Sequence, residues 1–180
     1  MGYPTIEKFD IRFIERTKAN VKQFDKANKF THLINSMVGL IFIPAEFHKK
    51  GKRTYKVDFL NKPIANSPVL KQIFFGNVKL MDEKGKSFTQ RKFFFRTKGK
   101  EQTIANTTVG DLVRLFRNGI AHSNITPVAH GNYWEGIIVK NYESPAKEKM
   151  GDFNFETFLN QKELRLFAMF IADEYLNNVQ

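Results

Sequence analysis

Apolar side chains recur at helical spacing near both ends of the chain, and the period shortens to two only in its last third. Ile6, Phe9, Phe13, Thr17, Val21 and Phe24 fall on one stripe with charge opposite, which predicts a helix over residues 6–28. Leu33, Ile34, Met37, Leu40 and Ile41 line one face of a second predicted helix, about 30–43. Val38, Phe42 and Ile43 cover much of its remaining surface, and Pro44 ends it. A helix apolar on most sides is one buried by its neighbours. The run from Met37 to Ile43 is too short to cross a bilayer, so no membrane association is expected.

Residues 48–66 are rich in turn formers and basic residues and read as loop. Ser67 followed by Pro68 is a helix start, with Val69 to Phe75 as a short helix and Gly76 at its end. Residues 77–106 show no clear period; Lys84-Gly85-Lys86 and Lys98-Gly99-Lys100 read as loop tips. Thr108 and Asp111 have the spacing of a capping box, with Asp in place of the usual Glu. Val109, Leu112, Val113, Phe116 and Ile120 follow at helical spacing and predict a helix over 109–121.

The period then changes. Pro127–His130 and Tyr133–Lys140 flank Gly131-Asn132, a hairpin signal. Residues 152–158, with Phe153, Phe155 and Phe158 set among polar residues, suggest a third strand. Asn160 to Glu163 is another helix start. Leu164, Phe167, Ala168, Ile171 and Tyr175 form one stripe of this last helix, and Leu166, Met169 and Phe170 form a second. Two apolar stripes fit either burial within one chain or packing against a second subunit.

At 180 residues the chain is long enough for one substantial core, and 19 Phe supply much of it. The absence of Cys excludes disulfides, thiolate metal sites and thiol catalysis, and fits a cytoplasmic protein. The first thirty residues are densely charged and carry no secretory h-region. The net charge of +11 is unevenly placed: residues 48–100 hold 15 Lys and Arg against three acids, while the rest holds 14 against 15. A basic segment beside a neutral remainder is the footprint of a polyanion-binding surface or of a solvated insertion. Within it, Lys49, Lys50, Lys52 and Arg53 are candidate phosphate contacts through charge. Arg91-Lys92-Phe93-Phe94-Phe95-Arg96 interleaves cations with rings, which fits base stacking beside phosphate contacts at Arg91 and Lys92, or a buried segment with charged ends.

The candidate chemistry lies at Arg117-Asn118-Gly119-Ile120-Ala121-His122, where the 109–121 helix ends. Arg presents a permanent planar cation that fits phosphate oxygens, and His is the side chain whose proton exchanges near neutral pH. Together they can cleave RNA without a metal. His takes the 2′-hydroxyl proton, the oxygen attacks phosphorus, and Arg stabilises the charge on the equatorial oxygens. Residues five apart on an ideal helix point about 140° apart. Arg117 and His122 therefore converge only if the helix end unwinds, if another element faces them, or if a symmetric dimer pairs two copies. No compact Asp, Glu and His ligand cluster is visible, and no cofactor is implied.

These residues resemble the Arg-x4–6-His motif of the HEPN superfamily (higher eukaryotes and prokaryotes nucleotide-binding), in which a polar residue commonly follows the Arg, as Asn118 does here. The preceding Leu112–Asn118 helix, the Ala121-His122-Ser123-Asn124 end and the apolar segment ending Pro44-Ala45-Glu46 are similar to bacterial members of that group. The resemblance implies a mainly α fold: a HEPN-like helical bundle over residues 1–180, with a basic, loop-rich insertion at about 48–106 and a small antiparallel β-patch at about 126–158 before the last helix. It implies a homodimer with facing motifs, acting as a metal-independent endoribonuclease of the toxin or phage-defence kind. Arg117 and His122 would be catalytic and Asn118 would orient them, with RNA and a cognate antitoxin-like protein as partners. The alternative is a non-catalytic module that binds RNA, nucleotide or a protein partner. Gly119 departs from the pattern by weakening the helix just before the site.

Overall fold

The computed structural model describes residues 9–23, 35–36, 38–43, 57–81, 85–130 and 133–179. They belong to two compact units, one drawn from residues 1–60 and 165–180, the other from residues 61–164.

The first unit holds α1 (Phe9–Gln23) and a second helical segment, α2, described at residues 35, 36 and 38–43. On α1, Ile14, Thr17 and Val21 are buried, and on α2 Leu40 and Ile41 are fully so. The α1 stripe thus runs partly as its spacing predicts; Leu33, Ile34 and Met37 lie outside the described residues. A Cβ on Gly39 would come within 3.1 Å of the Phe13 ring, so a small residue there lets α1 and α2 lie close. Most of the last helix, α6 (Gln161–Val179), belongs to this unit. Phe167, Ala168, Ile171 and Tyr175 of the first stripe are buried there, and Ala172 and Leu176 join them, while Leu166 of the second stripe is exposed. Lys18 pairs with Asp173, and the Arg165 guanidinium donates to the Val21 carbonyl at 2.9 Å.

The second unit is built on a sheet. Strands β3 (Phe93–Thr97), β4 (Lys100–Gln102), β5 (Ile125–His130), β6 (Tyr133–Asn141) and β7 (Phe155–Asn160) form one antiparallel sheet in the order β4-β3-β7-β6-β5. A second, two-stranded sheet pairs β1 (Asn77–Met81) with β2 (Ser87–Arg91). Helix α3 (Pro68–Phe74) starts at Ser67, whose hydroxyl accepts from the Leu70 amide at 3.3 Å. A short helix α5 (Pro145–Lys149) links β6 to β7.

The fold is therefore not mainly a helical bundle. The expected β-patch at 126–158 supplies three of the five strands of a larger sheet, to which β3 and β4 add, and the β1–β2 hairpin packs on one face of it. The predicted hairpin strands are present as β5 and β6, whereas Gly131 and Asn132 lie outside the described residues. The predicted third strand starts later, at Phe155. The strand-forming content of 77–102 was hidden because β3 is covered on both faces. Phe93 and Phe95 turn to one side, where Phe93 meets the Phe74 and Phe155 rings edge-on at 6.4 and 6.2 Å. Phe94 turns to the other and meets Phe153 at 5.5 Å. A strand buried on both sides loses the alternation that would identify it.

The other face of β6 and β7 carries Ile138 and Phe158, and there Val78 and Leu80 of the β1–β2 hairpin pack with Val128. Gln90 donates to Glu156 on that same face at 2.5 Å. Helix α4 (Val109–Ala121) packs against β6 on the opposite side. Its Val109, Leu112, Val113, Leu115 and Phe116 are buried.

Candidate functional site

Helix α4 is held at both ends. At its start the Thr108 hydroxyl accepts from the Asp111 amide at 3.0 Å and donates to the Asp111 carboxylate at 2.9 Å. Asp is a methylene shorter than Glu, and here it meets the capping hydroxyl. Backbone bonds from Ile64 to Thr107 and from Val109 to Lys62, both 2.9 Å, tie this end to the preceding turn.

The C-terminal end carries the candidate chemistry. The helix stays regular through Ala121, and His122 is its cap residue, with its amide bonded to the Asn118 carbonyl at 3.1 Å. Ser123 then takes a left-handed conformation, φ 60°. The Ser123 amide donates to the Ile120 carbonyl at 3.0 Å and the Asn124 amide to the Gly119 carbonyl at 2.8 Å. This pair of bonds is a Schellman motif, closed by Ser where Gly is usual. The backbone itself thus satisfies the helix-end carbonyls. His122 is exposed, and among the described residues its imidazole makes no hydrogen bond or ion pair.

Gly119 fixes the site to the sheet. A Cβ there would lie 2.3 Å from the Lys140 carbonyl oxygen and 2.6 Å from Val139 Cγ1. The glycine that departs from the family pattern is thus the contact point of α4 with β6, and no other residue fits that approach. Asn124 closes the loop by accepting from the Lys140 amide at 2.9 Å.

Arg117 and Asn118 are half-buried, and an Arg117 Nη1 donates to Asn118 Oδ1 at 3.5 Å. Because the helix does not unwind before His122, a single chain keeps the roughly 140° divergence of the two side chains expected of an ideal helix. One chain brings Arg117 and Asn118 together and leaves His122 on open surface.

The other sequence-predicted residues fall apart. Lys49, Lys50, Lys52 and Arg53 lie outside the described residues. Arg91 is exposed on β2 and pairs with Glu101 at 2.6 Å. Lys92 points elsewhere. It pairs with Glu163, whose carboxylate also accepts from the Asn160 amide at 3.1 Å while Asn160 Oδ1 accepts from the Glu163 amide at 2.8 Å. That reciprocal capping box starts α6, so Lys92 is engaged in structure.

A cleft of about 220 Å³ lies by Arg96, Gly99, Glu143, Lys147, Asp152 and Asn154. Asp152 is bracketed there by Lys147 and Arg96; hydrogen bonds from Lys147 first, then Arg96, hold its carboxyl below the ordinary 3.8. Among the described residues no three His, Asp or Glu side chains gather as a metal-ligand set, and no helix is long and apolar enough to cross a membrane.

The Arg117-to-His122 helix end can be compared with known families, and the family model described as HEPN pEK499 p136 matches residues 1–180. The chain belongs to this HEPN family. Neither a curated protein nor a solved structure matches it. Within this HEPN chain the sequence singles out Gly119, Ser123 and Asn124 but not their roles as the contact with β6, the left-handed turn and the link to Lys140. The local signal was a glycine inside a well-capped helix followed by two small polar residues, and the partner that explains them, Lys140, is distant in sequence.

Proposed function

We propose that this HEPN protein is a metal-independent endoribonuclease working as a homodimer. The observation that carries the reading is the placement of His122: a solvent-exposed imidazole at the end of a helix locked to a sheet, one and a half turns from a half-buried Arg117. The family supports nuclease or nucleotide-binding chemistry. A positioned group is worth most to catalysis when its scaffold does not move. The divergence of Arg117 and His122 within one helix favours a composite site in which two copies of α4 face each other across a two-fold axis.

In that site one His122 takes the proton of the 2′-hydroxyl. The 2′-oxygen attacks the adjacent phosphorus, and the bond to the 5′-oxygen breaks. The second copy's His122 gives that oxygen a proton, leaving a 2′,3′-cyclic phosphate and a 5′-hydroxyl. Arg117 stabilises the equatorial oxygens, and Asn118 orients its guanidinium through the contact described above. RNA as substrate sets a cytoplasmic place of action, and a nuclease of this kind calls for a neutralising, antitoxin-like partner.

The test is incubation with RNA in EDTA. Cleavage that gives cyclic-phosphate ends, spares DNA and falls at least a hundredfold in His122→Ala is expected. Undiminished cleavage by His122→Ala ends the mechanism. RNA binding without turnover, unchanged in that variant, would instead make the protein a binding module.

A further inference from the structure

The β1–β2 hairpin presents an uncovered face. Its inner residues Val78, Leu80, Phe88 and Gln90 share one side, and Val78, Leu80 and Gln90 engage the large sheet. The opposite side carries Asn77, Lys79 and Met81 of β1 with Ser87, Thr89 and Arg91 of β2, and all six are exposed. None is acidic. Just before β1 stands Phe75, 68% exposed, the most open phenylalanine among the described residues.

The connections place these groups side by side. The Phe75 amide caps α3 by bonding the Lys71 carbonyl at 3.0 Å, so Lys71 lies one turn before the ring. Asn77, two residues after it, pairs directly with Arg91, and the Lys92 amide bonds the Gly76 carbonyl at 3.1 Å. Lys79 follows on the same face as Asn77. An exposed phenyl ring thus follows Lys71 by one helical turn and precedes the strand that carries Lys79 and pairs with Arg91. The ion pair among the described residues there, Arg91 with Glu101, has both side chains more than half exposed. Exposed pairs are weak, and a phosphate can replace the carboxylate on the Arg fork.

We propose that this face binds single-stranded RNA, with Phe75 stacking one base and Lys71, Lys79 and Arg91 holding the adjacent phosphates. A flat ring recognises the face of an unpaired base, which a duplex keeps hidden. The three cations supply the sequence-independent attraction. This deepens the nuclease reading by naming the form of RNA delivered to it. The interleaved rings of Phe93 to Phe95 do not serve, because they lie within the sheet.

The binding test uses the whole protein carrying His122→Ala, so that no probe is cut, and reads fluorescence anisotropy with labelled oligouridine and with a blunt RNA duplex. Phe75→Ala is expected to weaken oligouridine binding tenfold or more, with little effect on the duplex. Phe75→Trp restores the affinity. Lys79→Ala weakens both and lowers the slope of affinity against salt, which Phe75→Ala leaves unchanged. Equal binding by Phe75→Ala and its parent overturns the proposal, as does a duplex bound as tightly as the single strand. Because Phe75 is on the surface, a melting curve like the parent's confirms that the variant is folded. Phe75-dependent binding in a protein that never cuts RNA keeps this surface and removes the nuclease. Cutting in EDTA with Phe75-independent binding does the reverse.

Discussion

Gly119 meets the Lys140 carbonyl oxygen with no room between helix and strand: a methyl group on Gly119 would sit 2.3 Å from that oxygen. The obstacle is backbone and cannot rotate away. In an exposed helix Gly→Ala gains about 1 kcal/mol. Here the clash reverses the sign, and Gly119→Ala is expected to destabilise the protein by about 2 kcal/mol or more. Urea unfolding measures it, and a stabilised Gly119→Ala protein would mean that α4 does not lie on β6.

Ser123 holds φ 60°, a region that favours Gly. Relieving a left-handed L-residue is worth about 1 kcal/mol. Ser123→Gly is therefore expected to raise the melting temperature by about 2–4 °C. Ser123→Val, branched at Cβ, is expected to lower it. The same pair of variants asks whether the turn matters to chemistry, because RNA cleavage should follow the Schellman geometry and fall in the Val variant.

Neighbours Arg91 and Lys92 should separate cleanly. Lys92, its side chain 17% exposed, pairs with Glu163 at the start of α6. Lys92→Met and Glu163→Ala should each cost stability in urea, with Glu163→Ala also losing the capping contribution of about 1 kcal/mol. RNA affinity should be unchanged in Lys92→Met. Arg91→Ala should leave unfolding unchanged and weaken RNA binding.

Acid should act through Asp152. Its carboxyl titrates below 3.8 in the folded chain because Lys147 and then Arg96 donate to its charged form. The stability this contributes is present above pH 3.8 and is lost as pH falls through the folded value. Asp152→Asn should thus be less stable than the parent at neutral pH, and the two urea midpoints should converge in acid. A difference that stays constant down to the acid limit would mean that the two cations do not reach Asp152.

How much of this was legible in the sequence depends on how each element is covered. Helix α4 was readable because one side is buried and its Thr108 cap is local. The β5 and β6 strands were readable from the short hairpin signal between them. Strand β3 was not, because Phe93, Phe94 and Phe95 are consecutive rings packed on both sides, and this led to the expectation of a bundle with a small β-patch. Arg117 and His122 were found through the family motif. Gly119 looked like a weak point in a helix because its reason, the Lys140 backbone, is more than twenty residues away. Phe75 read as the last apolar position of α3, whereas the chain turns at Gly76 and leaves the ring outside.

Asn124 links the last turn of α4 to β6 through one amide given and one carbonyl used, to Gly119 and from Lys140. Surface histidines ordinarily sit where the chain opens most often. Releasing this one parts the start of β5 from β6, so the imidazole inherits the opening free energy of that strand pair. Amide hydrogens of Asn124 and Lys140 should then exchange with deuterium as slowly as those paired between β5 and β6, even though the ring two residues before Asn124 is bathed in water.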